Sequence, residues 1–363
     1  MEKAKISSYQ LFVLILLFQL GSALLLPLAT DVKQDAWIAV LIGLIGGILL
    51  FFIYYRIYTY YPDALPTTYL QKIIGTFFGR ILAFLYLIYF VYLSARVLRD
   101  FGEMLAILGY SNTPIAVNQA LLLLVVIYTI KKGIEVLART GEIFFIFIYL
   151  LAIIGFILIV LSGLINFDKL RPVLEHGIIP VVKVAMTQNI YFPFGEMVAF
   201  CMIFPYLKHP SKLKATAIFA IGLSGINLAI STAVNISVLG AAYISRTQFP
   251  LLVTVQAIEL AQFLERLDIF FMLAMIILGF FKISIFFYVA IIGTADLFHL
   301  KEPSRLAFPI GYVVLIFSIV IASNMSEHFE EGLEMIPVYL HLPFQVIIPF
   351  ILLVIAIFKN WKG

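Results

Sequence analysis

Gln188-Asn189-Ile190-Tyr191-Phe192-Pro193-Phe194-Gly195-Glu196 interrupts an apolar run that extends from Gly177 to Leu207. The run is long enough to cross a bilayer, which takes about 20 predominantly apolar residues. Proline lacks an amide donor and glycine relaxes the backbone, so helical hydrogen bonding should lapse from Phe192 to Gly195, in mid-membrane. Non-helical backbone survives at that depth only where it is buried in protein or lines a wet cavity. A second break, Gly21-Ser22, falls inside the run from Tyr9 to Thr30. Interrupted helices at corresponding places in two halves of a chain point to a transporter-type binding site between them.

Working outward, ten runs read as spans: 9–30, 37–55, 79–108, 115–130, 141–163, 178–207, 213–240, 267–298, 306–322 and 340–358. The whole chain is 63% hydrophobic and 12% charged, with a mean hydropathy of +1.09. An ordinary globular domain is about 45–50% apolar and about 25% charged, so composition excludes a soluble protein. The first run is too long for a signal-peptide core of about 7–15 residues, although Lys3 and Lys5 precede it. No hydrophilic stretch separates the runs, and 1–363 reads as a single transmembrane domain. The mixed segment from Phe249 to Arg266 reads as a helix lying at the membrane surface. Cys201, the single cysteine, excludes a disulfide framework and reads as a buried, inert thiol.

Alternating loops place 15 of the 24 lysines and arginines on one side, which makes both termini cytoplasmic. The same arrangement accounts for the net charge of +4 without a nucleic-acid partner. Because five is odd, a division into five and five spans makes the halves enter from opposite sides. The repeats, approximately 9–163 and 178–358, are therefore inverted. Spans one and six would cross near the midplane beside spans three and eight. The acidic group Glu327, Glu330, Glu331 and Glu334 in the last outer loop reads as a solvated face.

Several residues are candidates for a ligand site. Opening a helix at Gly21-Ser22 frees amide donors for a carboxylate or for hydroxyls; the competing reading is a glycine kept for close helix packing. Glu196 could cap the second half-helix or bind a ligand ammonium or a proton. Tyr191, Phe192, Phe194 and Gly195 surround it in sequence, with Thr187, Gln188 and Asn189 as polar lining. Lys282, with Ser284 two residues on, lies too deep in span eight to reach water, so its charge must be paired or lost. A structural salt bridge to Glu142 or Glu196 is one solution. Tyr89, Tyr92 and Arg96 share one face of span three, as a ligand wall or as helix packing. The five histidines read as loop or span-end residues, and neither a metal motif nor a phosphate-binding loop is present. Metal, cofactor and enzymatic chemistry are not expected.

Taken in order, Ile6-Ser7-Ser8-Tyr9-Gln10-Leu11, Phe18-Gln19-Leu20-Gly21-Ser22, Asp35-Ala36-Trp37, Phe192-Pro193-Phe194-Gly195-Glu196 and Phe263-Leu264-Glu265-Arg266-Leu267-Asp268 resemble the endospore germination permeases. These are the B subunits of GerA-type nutrient germinant receptors, distant members of the amino acid–polyamine–organocation superfamily. The resemblance implies an all-α, ten-helix, five-plus-five inverted-repeat (LeuT-like) fold in the spore inner membrane. It further implies a membrane-bound A subunit and a C-subunit lipoprotein as partners, and a nutrient germinant that is an amino acid, sugar or nucleoside. Sodium-coupled relatives of such a fold hold a cation between spans one and eight, which implies Lys282 as an internal cation near Gly21. A proton-coupled amino acid transporter is the alternative function, and ion conduction a third.

Overall fold

A computed structural model describes residues 4–108, 112–258 and 267–361. Among these the chain is mainly helical and holds no strand. An isolated parallel bridge joins Ile6 and Leu207, in which the Ile6 amide donates to the Tyr206 carbonyl and the Lys208 amide donates back to that of Ile6, both at 2.9 Å. In chain order the helices are α1 (Ser8–Leu25), α2 (Ala36–Tyr60), α3 (Pro66–Ile74), α4 (Thr76–Leu108), α5 (Ile115–Lys131), α6 (Ile134–Leu161) and α7 (Ile178–Val184). They continue as α8 (Leu213–Leu239), α9 (Ala241–Ile244), α10 (Pro250–Gln256), α11 (Leu267–Leu297), α12 (Ala307–Val320), α13 (Met325–Glu330) and α14 (Ile348–Trp361). Among the described residues, eight helical stretches are long and apolar enough to cross a membrane by length and composition, and α5 is a shorter apolar helix of 17 residues. The chain is an integral membrane protein.

Both expected breaks are present. In α1, which starts at a Ser7–Gln10 capping box, Gly21 leaves helical geometry (φ −17°, ψ −115°). The sixth run passes from α7 into a π turn at Ala185–Asn189, loses regular structure through Ile190–Pro193, and resumes as a 3₁₀ helix over Phe194–Met202. Small residues on α2 let this irregular chain approach. A Cβ on Gly47 would stand 2.3 Å from the Cβ of Phe194, and one on Gly43 2.5 Å from that of Asn189. Bulk at either position would push the broken segment off α2.

The core lies where α1, α4, α11 and the broken segment meet. Periodicity alone could not rank the helices by burial, yet the ranking is steep. The most apolar part of α6 is only 11% buried and turns Ile143, Ile146 and Leu150 outward, whereas the α11 window is 67% buried.

The structure revises four readings. The last span does not begin at residue 340: π-helical segments at Glu331–Met335 and Pro337–Ile347 join α13 to α14, so helix extends from Met325. The acidic outer group is thus helical; Glu331 pairs with Arg96 at 3.6 Å and Glu327 accepts from the Ser323 amide at 2.7 Å, while the Glu334 side chain lies outside the described residues. The expected surface helix at 249–266 is the seven-residue α10. It is tucked against α8, with Thr254 buried and donating to Asn235 Oδ1 at 2.9 Å; residues 259–266, including the Phe263–Arg266 motif, lie outside the described residues. His328 and His341 are buried rather than set in loops.

Candidate functional site

Gly21 and Lys282 come together because each needs the other's space. A Cβ on Gly21 would lie 2.7 Å from Cδ and 3.0 Å from Cβ of Lys282, so the lysine stem runs across the break in α1. Its ammonium ends 2.6 Å from Oε2 of Glu196, with Lys282 wholly buried and the Glu196 side chain 3% exposed. The contact is a buried ion pair at close range. Two ring faces complete the enclosure: Phe192 at 4.4 Å and Phe18 at 5.4 Å from the nitrogen. Of the two partners considered for Lys282, the structure selects Glu196; Glu142 is reached instead by Gln10, at 3.5 Å.

Beyond this pair lies a cavity of about 90 Å³. Ser22, Asn189, Phe192 and Glu196 form the wall contributed by the two breaks, and Arg96 and Asp100 the wall from α4. The third wall is the helical stretch before α14, including His328, Gly332 and His341. Charges on the walls are satisfied in pairs. His328 Nε2 and Asp100 Oδ1 lie 2.7 Å apart. Arg96 reaches Glu331, donates to the His328 carbonyl at 2.5 Å and to the Tyr92 hydroxyl at 3.4 Å. Ser22 Oγ and Asn189 Oδ1 are buried without a hydrogen-bond partner, a situation that proteins seldom tolerate unless water or a ligand supplies one.

Of the residues proposed from sequence, Ser22, Phe192 and Glu196 border the cavity, whereas Gly21 and Lys282 pack against each other behind Glu196 and do not line it. Tyr92 stands behind Arg96. The Tyr191 ring lies 6.5 Å from that of His341. Gly195 faces Gln345, whose Oε1 would meet an added Cβ at 2.2 Å. Phe194 turns away onto α2, because 3₁₀ winding after Pro193 sends it to the Gly47 side. Ser284 is buried with its hydroxyl unpaired and off the cavity wall. Asp100, His328 and His341 were not singled out by sequence as site residues. The available signal was their polarity within or beside apolar runs, but the pairing of Asp100 with His328 crosses more than two hundred residues and has no local signature.

Past the cavity along the last span, tyrosine hydroxyls tie that span to its neighbours. Tyr54 donates to the Gln345 carbonyl at 2.6 Å, and its oxygen lies 3.3 Å from that of Gly195. Tyr86 donates to the Phe344 carbonyl at 2.8 Å. These carbonyls lie just past Pro343, where a π-helical stretch is accessible to side chains of other helices.

This arrangement matches known proteins at two levels. In fold, the chain is similar to the crystal structure of MhsT in complex with L-phenylalanine, with a TM-score of 0.67, 14% identity, and coverage of 100% of this chain and 91% of that one. The fold is therefore LeuT-like. In sequence, it is 50% identical to spore germination protein KB of Bacillus subtilis (strain 168) over 99% of this chain and 96% of that protein. It is 28% identical to spore germination protein A2 of the same organism, over 98% and 96% respectively. Residues 5–326 match the family model described as spore germination protein, and the chain belongs to that family of permease-like B subunits of GerA-type germinant receptors.

Proposed function

We propose that this chain is the nutrient-sensing subunit of its receptor and that the germinant, an amino acid, sugar or nucleoside, occupies the cavity between the two helix breaks. The observation that carries the reading is the convergence of the two breaks, through Ser22 on one side and Phe192 and Glu196 on the other, on one cavity, with Glu196 paired to the buried Lys282 behind it. A cation built into the chain at this depth replaces one that a driven transporter would have to bind and release. Ligand binding then shifts the balance between two arrangements of the bundle by no more than its difference in affinity for them. A membrane-bound A subunit and a C-subunit lipoprotein in the spore inner membrane read that shift. The chain makes ten crossings, in inverted repeats of approximately 9–163 and 178–358, with both termini cytoplasmic.

A proton-coupled amino acid transporter is the second reading, favoured by one observation: Glu196 borders the cavity as well as facing Lys282, so a proton could reach it. Equilibrium binding and liposome uptake by the purified chain, each with L-alanine, D-glucose and inosine, separate the two. Saturable binding without uptake, with or without a pH gradient, is the expected result. Uptake that follows the gradient would replace the sensor with the transporter, and an electrical leak in the protein alone would point to ion conduction.

A further inference from the structure

His341 stands on the cavity wall, 5% exposed, and the hydrogen bonds its ring makes run through Nδ1. The Tyr89 hydroxyl lies 2.7 Å from Nδ1 and the side-chain nitrogen of Gln345 3.2 Å from it, while that same nitrogen donates to Tyr89 at 2.8 Å. This triangle determines the tautomer. An amide nitrogen carries only protons to offer, and the Tyr89 oxygen, already accepting one from Gln345, has its own proton left for the imidazole. Nδ1 is therefore the accepting nitrogen and Nε2 carries the ring proton. Nδ1 faces α4 and Gln345, and the rest of the ring borders the cavity.

We propose that His341 contacts the bound nutrient as a neutral imidazole, its Nε2–H donating to an acceptor oxygen of the ligand, either a hydroxyl or a carboxylate. Tyr89 and Gln345 are positioning residues that hold the donor tautomer. The inference rests on the ligand site proposed above. Two features favour an oxygen at this point over an ammonium. A fixed N–H repels a donor, and the carboxylates on the cavity wall are already matched, Glu196 by Lys282 and Asp100 by His328. The chain's other cavity-facing cation, Arg96, is likewise engaged by Glu331 and by the His328 carbonyl. His341 thus supplies a donor of fixed direction, which the freely rotating Ser22 hydroxyl, also unpaired on the wall, does not.

Two replacements separate the edges of the ring. In His341→Asn the amide oxygen can take the place of Nδ1 and accept from Tyr89, but nothing reaches the Nε2 position. In His341→Gln the amide nitrogen approximates Nε2 and keeps a donor toward the cavity. Binding of L-alanine, D-glucose and inosine to the full chain in lipid nanodiscs is the first measurement. Whichever probe binds the wild type should be held about tenfold more weakly by H341N, the loss of one ligand hydrogen bond, and within about threefold of wild type by H341Q. The second measurement needs no ligand: in ¹⁵N-histidine spectra, the signals that H341N removes should be those of a neutral ring protonated at Nε2, and Tyr89→Phe should move them toward a mixture of tautomers. Equal binding by wild type and H341N, or a ring protonated at Nδ1, overturns this inference and leaves the ligand site standing. Failure of all three probes to bind the wild type overturns the site and the inference together.

Discussion

At the residue scale, Lys282 and Glu196 depend on each other because, among the described residues, neither forms an ion pair with any other group at that depth. Removing one member of a buried pair strands the other, which costs about 3–5 kcal/mol in proteins, whereas replacing both by uncharged groups of similar shape is often neutral. Lys282→Met and Glu196→Gln should therefore each lower the melting temperature of the purified protein markedly, and the double variant should recover most of the loss. If the double variant melts as low as either single one, the two residues are not coupled. Gly21 belongs to the same unit. Gly21→Ala puts a methyl 2.7 Å from the lysine stem. Because the stem is enclosed, the lysine must shift from Glu196 or α1 must move, and a destabilisation of about 1–3 kcal/mol, typical of overpacking, is expected. Adding Lys282→Met to Gly21→Ala should relieve part of that steric cost. Strict additivity in a double-mutant cycle would show that the stem does not press on the break.

At the element scale, the stretch from Glu331 to Ile347 connects the cavity to the half of the bundle that holds the amino-terminal end of α1, the cytoplasmic half in the proposed orientation. It lines the site with Gly332 and His341 and, one to two turns later, offers the Phe344 and Gln345 carbonyls to Tyr86 and Tyr54. Wide π winding is uncommon and frequently marks functional places, because it exchanges readily with α geometry. A return to α winding would withdraw these carbonyls from the tyrosines. Tyr54→Phe and Tyr86→Phe remove only hydroxyls and should each cost about 0.5–1.5 kcal/mol, the net worth of a typical hydrogen bond. In the assembled receptor both variants should loosen the cytoplasmic end and raise the rate of germination without added nutrient. Hydrogen exchange at 344–352 is the direct check: faster exchange in Tyr54→Phe supports the clamp, and unchanged exchange removes it. The broken segment that follows α7 depends on α2 in a different way, through shape alone. Gly47→Leu should displace Phe194 and abolish ligand binding even though residue 47 never touches the cavity.

At the scale of the whole molecule, the cavity lies where α1 ends and the opposite end of the bundle is shut; with both termini cytoplasmic, as proposed, the closed end is the cytoplasmic one. Its walls come from the carboxy-terminal end of the first run, the carboxy-terminal half of α4 and the segment before α14. Below it, the tyrosine clamps and the bridge of Ile6 to Tyr206 and Lys208 join the amino-terminal end of α1 to the end of the broken segment. Thiol labelling tests this in oriented vesicles. With Cys201 replaced by Ala, Ser22→Cys should react with a membrane-impermeant maleimide added outside and resist it from the cytoplasmic face. Reaction from the cytoplasmic face alone would invert the assignment. Bound nutrient should protect the thiol, because Ser22 borders the proposed ligand.

Sequence alone determined that this is a helical membrane protein and where most of its helices run, because span length and hydrophobicity are local properties that the bilayer dictates. The breaks at Gly21 and Phe192–Gly195 were legible for the same reason, since proline and glycine act on the backbone wherever they stand. The need for Lys282 to find a partner was also legible, but the choice of Glu196 over Glu142 was not. That choice depends on which helix faces lie together, and nothing in a run of apolar residues encodes its neighbour. The early start of the last helix was hidden because its first turns are acidic and carry Pro337 and Pro343, which in isolation read as loop. Burial of Asp100, His328 and His341 was hidden too. Each is polar by composition and becomes interior only when α4 and the last span close over the cavity, where pairing across the fold satisfies groups that the chain could not satisfy locally.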